Sequence, residues 1–290
     1  MGLAMANPGA PIMTETRYQL ACVQVNAGDD MDANLSAAEN IARAAAKDGA
    51  RLIAFPENVA FMAPDGIGVR ETARDEGTHP ALARFQALAK ELDAWLVVGS
   101  LGISGADDQG RVANRSFVID PAGAVQARYD KIHMFDVKLA DGESYRESST
   151  FAPGSQAVSV ATPLGRIGLT ICYDVRFPYL YRALAKAGAE LIAVPSAFTR
   201  TTGTAHWHTL LRARAIETGS YVFAPAQCGT HPRGRQTFGH ALIVNPWGEV
   251  IADGGDQPGY VCAEIDLEMV ARVRAQLPSL SHDRDFTGPA

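Results

Sequence analysis

The sequence predicts an α/β fold built from two internally similar halves, with two sheets facing each other and helices outside. Three observations carry this. Short apolar runs alternate with stretches of helical period along the 290 residues. Residues 46–56 (AKDGARLIAFP) match residues 185–195 (AKAGAELIAVP). Residues 117–127 (FVIDPAGAVQA) match 242–252 (LIVNPWGEVIA), in the same order.

Strands are expected at 19–25, 51–55, 95–99, 114–119, 166–172, 190–194, 221–225, 240–244 and 259–265, each a run rich in apolar and β-branched residues. Helices are expected at 33–47, 80–93, 178–187 and 206–218. Asn34 or Asp32 suits the first helix as a cap, Gly49 follows its end, and Gly219 closes the last. The D/N-P-x-G segments after Ile119 and Val244 read as hairpin turns, since Pro fits the second turn position and Gly the tip. Two such units are too few for a solenoid. Residues 1–17 read as a flexible leader, 18–280 as one domain and 281–290 as a tail.

Composition excludes several classes. Apolar residues make up 47% and charged residues 20%, so the chain buries a core rather than staying disordered. The net charge of −6 argues against a nucleic-acid partner or an anionic membrane surface, which want a basic patch. No apolar run reaches the ~18 residues of a membrane helix. Cys22, Cys172, Cys228 and Cys262 are far apart and form no CxxC, so zinc and redox-pair readings lack support. Four scattered thiols suit a reduced, cytoplasmic chain.

Three segments hold candidate chemistry. FPEN places Glu57 just after a strand, at the edge where α/β sheets build ligand sites, although a solvated loop carboxylate fits the same pattern. YDKIHMFD holds Lys131 and His133 among apolar residues, and a lone lysine there also suits a surface. GLTICYDVRFP puts Cys172 at a strand end before a polar turn, with Arg176 close by. Such a cysteine is either inert core or a reactive thiol. A phosphatase loop is excluded by Pro178, and no G-x-S-x-G or G-x-C-x-G elbow, papain motif, HExxH, Walker A or GxGxxG occurs. His206 and His208 stand two apart and make a poor metal pair on a helix.

Taken together and in order, the Glu of FPEN, the Lys of YDKIHMFD and the Cys of ICYDVRFP resemble the Glu-Lys-Cys set of the nitrilase superfamily of carbon-nitrogen hydrolases. The likeness spans roughly 18–280. It implies a four-layer αββα sandwich and, from Cys-Tyr-Asp-x-Arg-Phe-Pro, an amidase rather than a nitrilase. Residues 194–227 with the following CGTH and GHALIVNPWGEV are similar to the deaminated glutathione amidase branch. Omega-amidases acting on 2-oxoglutaramate, N-carbamoyl amine hydrolases and non-catalytic binding members are the alternatives.

The resemblance implies that a linear carboxamide is cut to acid plus ammonia through a cysteine thioester. Cys172 is then the nucleophile, Glu57 the proton carrier, and Lys131 the oxyanion partner with the Tyr173 backbone N–H. Glu147, in YRES, corresponds to a second active-site glutamate. Arg176 is the expected carboxylate binder for an anionic substrate, with Phe198 and Thr202 beside it. No metal or cofactor is required. A homodimer or larger homo-oligomer is expected. One departure stands out: the family commonly carries an acid after His-Trp, expected to prop the helix through an i,i+4 pair with Arg212 rather than to touch substrate, and this chain has His208 there, which loses that attraction.

Overall fold

The computed structural model describes residues 15–63, 65–138, 142 and 144–289. Most of the expected leader, residues 1–14, lies outside the described residues. In chain order the strands are β1 (Arg17–Val25), β2 (Ala50–Ala54), β3 (Trp95–Ile103), β4 (Ala113–Ile119), β5 (Val125–Asp130), β6 (Asp136–Lys138), β7 (Ser144–Arg146), β8 (Val158–Thr162), β9 (Gly165–Leu169), β10 (Leu191–Ala193), β11 (Tyr221–Ala224), β12 (Ala226–Thr230), β13 (Gln236–Phe238), β14 (Leu242–Val244), β15 (Val250–Asp253) and β16 (Gly259–Asp266). The helices are α1 (Met31–Lys47), α2 (Gly66–Thr72), α3 (Pro80–Leu92), α4 (Pro178–Lys186), α5 (Arg200–Thr218) and α6 (Leu267–Gln276).

The sequence repeat is a repeat of topology. In the first sheet β1, β2 and β3 are parallel, and the β4–β5 hairpin adds antiparallel to β3. In the second, β9, β10 and β11 are parallel, and the β14–β15 hairpin adds antiparallel to β11. Each first parallel strand also takes an antiparallel neighbour, β16 on β1 and β8 on β9. The first sheet is extended past β1 by β12 and β13.

Strand alternation sorts the side chains into layers. Ala21, Val23, Ile53, Phe55, Leu96 and Val98 pack under α1 and α3. Their neighbours Leu20, Cys22, Leu52, Ala54 and Val97 face the second sheet and join Ile167, Leu169, Ile192 and Val222. Leu180, Leu184, Trp207 and Leu211 of α4 and α5 close that sheet's other side. Helix, sheet, sheet and helix give the expected αββα sandwich.

Several boundaries differ from expectation. Asp30 caps α1, its carboxylate accepting from the Ala33 N–H. Asn34 instead ties its own loop together, bonding Gly28 and Ala60. Helix α5 starts six residues early, at Arg200, while Gly219 ends it in the left-handed region as expected. Strand β9 stops at Leu169, and Cys172 begins a 3-10 turn to Arg176. Local pattern sees the apolar run Leu169–Cys172 but not that Cys172 has φ +49°, which ends the pleat.

Topology aims the site. Because β5 is antiparallel to β4, which is antiparallel to β3, β5 ends at the same edge as β2. Glu57 follows β2 and Lys131 follows β5, so both emerge at one rim.

Candidate active site

Glu57 is held by its loop and by the neighbouring strands. Phe55 extends the strand by donating to the Val97 carbonyl. Asn58 turns into the left-handed region (φ +56°), and its N–H donates to Ser100 Oγ. Gln227 donates to the Glu57 carbonyl at 3.1 Å. Gly99 lets β3 pass beneath: a Cβ there would stand 2.0 Å from the Phe55 carbonyl oxygen.

The Glu57 carboxylate is 3% exposed, and both oxygens are engaged. Oε1 accepts from Lys131 Nζ and Asn114 Nδ2, each at 2.9 Å, and Oε2 accepts from the Ala197 N–H at 2.9 Å. Burial favours the neutral acid, but the charge and hydrogen bond of Lys131, helped by the Cys172 thiol and the Arg235 charge, hold Glu57 below the usual carboxylate range.

Lys131 is 2% exposed and donates to Glu57 and to both oxygens of Glu147, at 2.9 and 3.0 Å. Burial alone lowers a lysine; the two carboxylates outweigh it and hold Lys131 well above its ordinary value. Glu147 is anchored further by the Phe135 N–H at 2.6 Å.

Cys172 is 8% exposed at the cavity wall. Its N–H donates to the Pro195 carbonyl, and its thiol is coupled electrostatically to Glu57. Burial and the Glu57 charge push the thiol up; Lys131 offsets only part of this. The turn is pinned by Asp174, whose fully buried carboxylate accepts from the Ile171 N–H and the Tyr129 hydroxyl and pairs with His133. Buried Arg214 holds the Val175 carbonyl at 2.7 Å. The Tyr173 N–H donates to none of the described acceptors.

These groups line a cavity of about 410 Å³. Of the residues picked from the sequence, Glu57, Lys131, Glu147, Cys172, Tyr173, Phe198 and Thr202 all line it. Arg176 does not. Its guanidinium lies over the Tyr173 and Phe198 rings at 5.8 and 5.3 Å and reaches His206, so it backs the wall rather than facing the cavity. Arg176 makes no ion pair with nearby Asp174, whose carboxylate pairs with His133.

Sequence reasoning missed Asn114 and Arg235. Asn114 touches Glu57 and Glu147, yet an Asn at a strand start has no local signature. Arg235 lines the cavity from a Pro/Gly-rich loop, and its charge helps hold Glu57 ionised. His208 lies off the cavity lining. Asp253, on β15, accepts from His208 Nε2 at 2.9 Å and pairs with His240 Nδ1 at 2.8 Å. Among the described residues no helix is long and apolar enough to cross a membrane.

The pattern of the carbon-nitrogen hydrolases matches residues 19–275. The chain is 41% identical to the deaminated glutathione amidase of Synechocystis over 268 residues, covering 91% of this chain and 97% of the relative. It is 39% identical to the human protein of that name over 287 residues, covering 97% and 88%. In three dimensions it resembles the crystal structure of the C. elegans NitFhit protein, with TM-score 0.87 and 37% identity over 94% of this chain and 66% of that one. With sequence pattern, architecture and relatives in agreement, this chain belongs to the carbon-nitrogen hydrolase family of the nitrilase superfamily.

Proposed function

We propose that the chain is an amidase for anionic linear amides, deaminated glutathione foremost, working through a thioester on Cys172. The observation that carries this is the meeting of a thiol, a carboxylate and an ammonium at one cavity wall, all three nearly buried.

A thiol pushed up in pKa is not a resting thiolate. Attack is therefore coupled to proton transfer: as Sγ bonds the amide carbon, its proton passes to Glu57. The developing oxyanion is met by Lys131 Nζ and the Tyr173 N–H. Glu57 then gives the proton to the departing nitrogen, and the C–N bond breaks to leave the thioester. Water delivers its proton to Glu57 while its oxygen attacks, and the acid leaves as the thiol reforms. Glu147 positions Lys131 rather than reacting itself.

Both amide bonds of a glutathione skeleton are secondary, so its hydrolysis releases an amine rather than the expected ammonia. Ammonia belongs to the 2-oxoglutaramate alternative. The cavity volume favours the larger substrate, since sites for drug-sized ligands run roughly 300–1,000 Å³. A cytoplasmic setting and a homo-oligomer complete the proposal, supported by scattered free thiols and by family resemblance.

The test is turnover of deaminated glutathione, 2-oxoglutaramate and an N-carbamoyl amine, with products identified by mass. We expect the first to be preferred and Cys172→Ala to abolish it with the fold intact. Preferred release of ammonia from 2-oxoglutaramate, or of carbon dioxide from the carbamoyl amine, overturns the substrate assignment. Turnover by Cys172→Ala overturns the nucleophile.

A further inference from the structure

The cavity of this negatively charged protein is locally basic. Lys131, Arg146, Arg233 and Arg235 line it against Glu57, Asp65 and Glu147. Half of that charge is already paired. Lys131 is held between two glutamates, and Arg233 pairs with Asp65 at 2.8 Å. Arg146 also lacks an ion pair among the described residues but is exposed to solvent.

Arg235 differs. It is half-buried, and no described carboxylate lies within ion-pair distance of it. Its Nη2 donates to the Ala197 carbonyl at 2.9 Å, and its guanidinium sits over the Tyr145 ring at 5.4 Å. Its Nε is fully buried with no hydrogen-bond partner, one of two such side-chain atoms among the described residues. Buried donors are nearly always satisfied, and this one is closed off by protein, so the nitrogen left open to a partner from the cavity is Nη1, which is neither buried nor bonded among the described residues. Ala197 also links the cation to the chemistry, because its N–H is the donor to Glu57 Oε2.

We propose that Arg235 is the carboxylate-recognising group of the cavity and selects amides that carry an acid group. This rests on the amidase reading and names the residue that makes it acid-specific. A guanidinium suits this role because it stays charged, its planar fork matches a carboxylate, and the aromatic face beneath holds its plane. Arg176, sealed against Tyr173 and Phe198, contributes to the wall instead.

The experiment compares kcat/KM for deaminated glutathione and its dimethyl ester in the full-length protein, Arg235→Gln and Arg235→Lys. Wild type should favour the acid by about 10²-fold, the scale of one desolvated charge pair. Arg235→Gln should bring that ratio down to near unity, with Arg235→Lys between. An unchanged ratio in both variants overturns the assignment. If Gln fails to fold, Lys carries the comparison, with a ratio about tenfold below wild type expected from loss of the bidentate fork. If wild type cleaves neither compound, the amidase reading fails, and alkylation of Cys172 by iodoacetate against iodoacetamide decides the subsite separately. A roughly tenfold fall of that rate ratio in Arg235→Gln supports a carboxylate site; an unchanged ratio overturns it.

Discussion

Asn114 Nδ2 donates to Glu57 Oε1 across 2.9 Å, onto the same oxygen that receives the Lys131 ammonium. It also stands 3.4 Å from Glu147 Oε1, so one amide spans both carboxylates of the site. Asn114→Ala should leave Glu57 with one fewer orienting bond and lower kcat by about 10- to 100-fold, the scale of one hydrogen bond to a charged group. KM should move little. A rise in KM with kcat preserved would place Asn114 on the substrate instead.

Lys131 balances two buried carboxylates, so its removal acts on stability as well as rate. Lys131→Met should destabilise the fold by about 3–5 kcal/mol at neutral pH, because unpaired buried charge is left behind. The pH dependence has a definite sign. Glu57, lowered in the folded state, stabilises above its unfolded pKa of about 4.3, and that contribution is lost as pH falls through its folded value. Lys131, raised in the folded state, stabilises below about 10.4 and loses this as pH rises through its folded value. The gap between wild type and variant, measured by urea unfolding, should therefore narrow as the solution is acidified through the carboxylate range. A constant gap would contradict the pairing.

Gly99 supports the loop that carries Glu57 from beneath. A Cβ there would meet the Phe55 and Pro56 backbone at 2.0 and 2.4 Å, where no flexible side chain can yield. Gly99→Ala should cost roughly 1–3 kcal/mol by overpacking and lower activity by displacing Glu57. Unchanged melting temperature and turnover would show that β3 has more room than the contact implies.

His208 is a surface prop. His208→Glu sets a carboxylate against Asp253 and removes the bond to it, a change worth at most about 1 kcal/mol at an exposed pair. Stability should fall slightly and kcat/KM should hold, since His208 does not line the cavity. A large change in substrate preference would return this position to the site.

Much of the molecule was legible in the chain itself. The 46–56 and 185–195 segments became the α1–β2 and α4–β10 units, and the two D/N-P-x-G turns became the β4–β5 and β14–β15 hairpins. Periodicity and turn chemistry are local, so they are written in consecutive residues. The short strands β8, β12 and β13 lack a strand pattern of their own and are made strands by their neighbours: β8 pairs with the adjacent β9, β13 with the adjacent β12, and β12 also pairs with the distant β1.

The sequence by itself determined the fold class, the duplication, and the identity of Glu57, Lys131, Glu147 and Cys172 as the residues to watch. Only the tertiary structure decided what surrounds them. It turned Arg176 into the wall, brought Arg235 from a distant loop into the cavity, and set Asn114 between two glutamates. The physical reason is that residue type and spacing encode local conformation and chemical capability. Which charge is paired, which is buried and which is left without a partner depends on segments tens to hundreds of residues apart, and only packing brings those together.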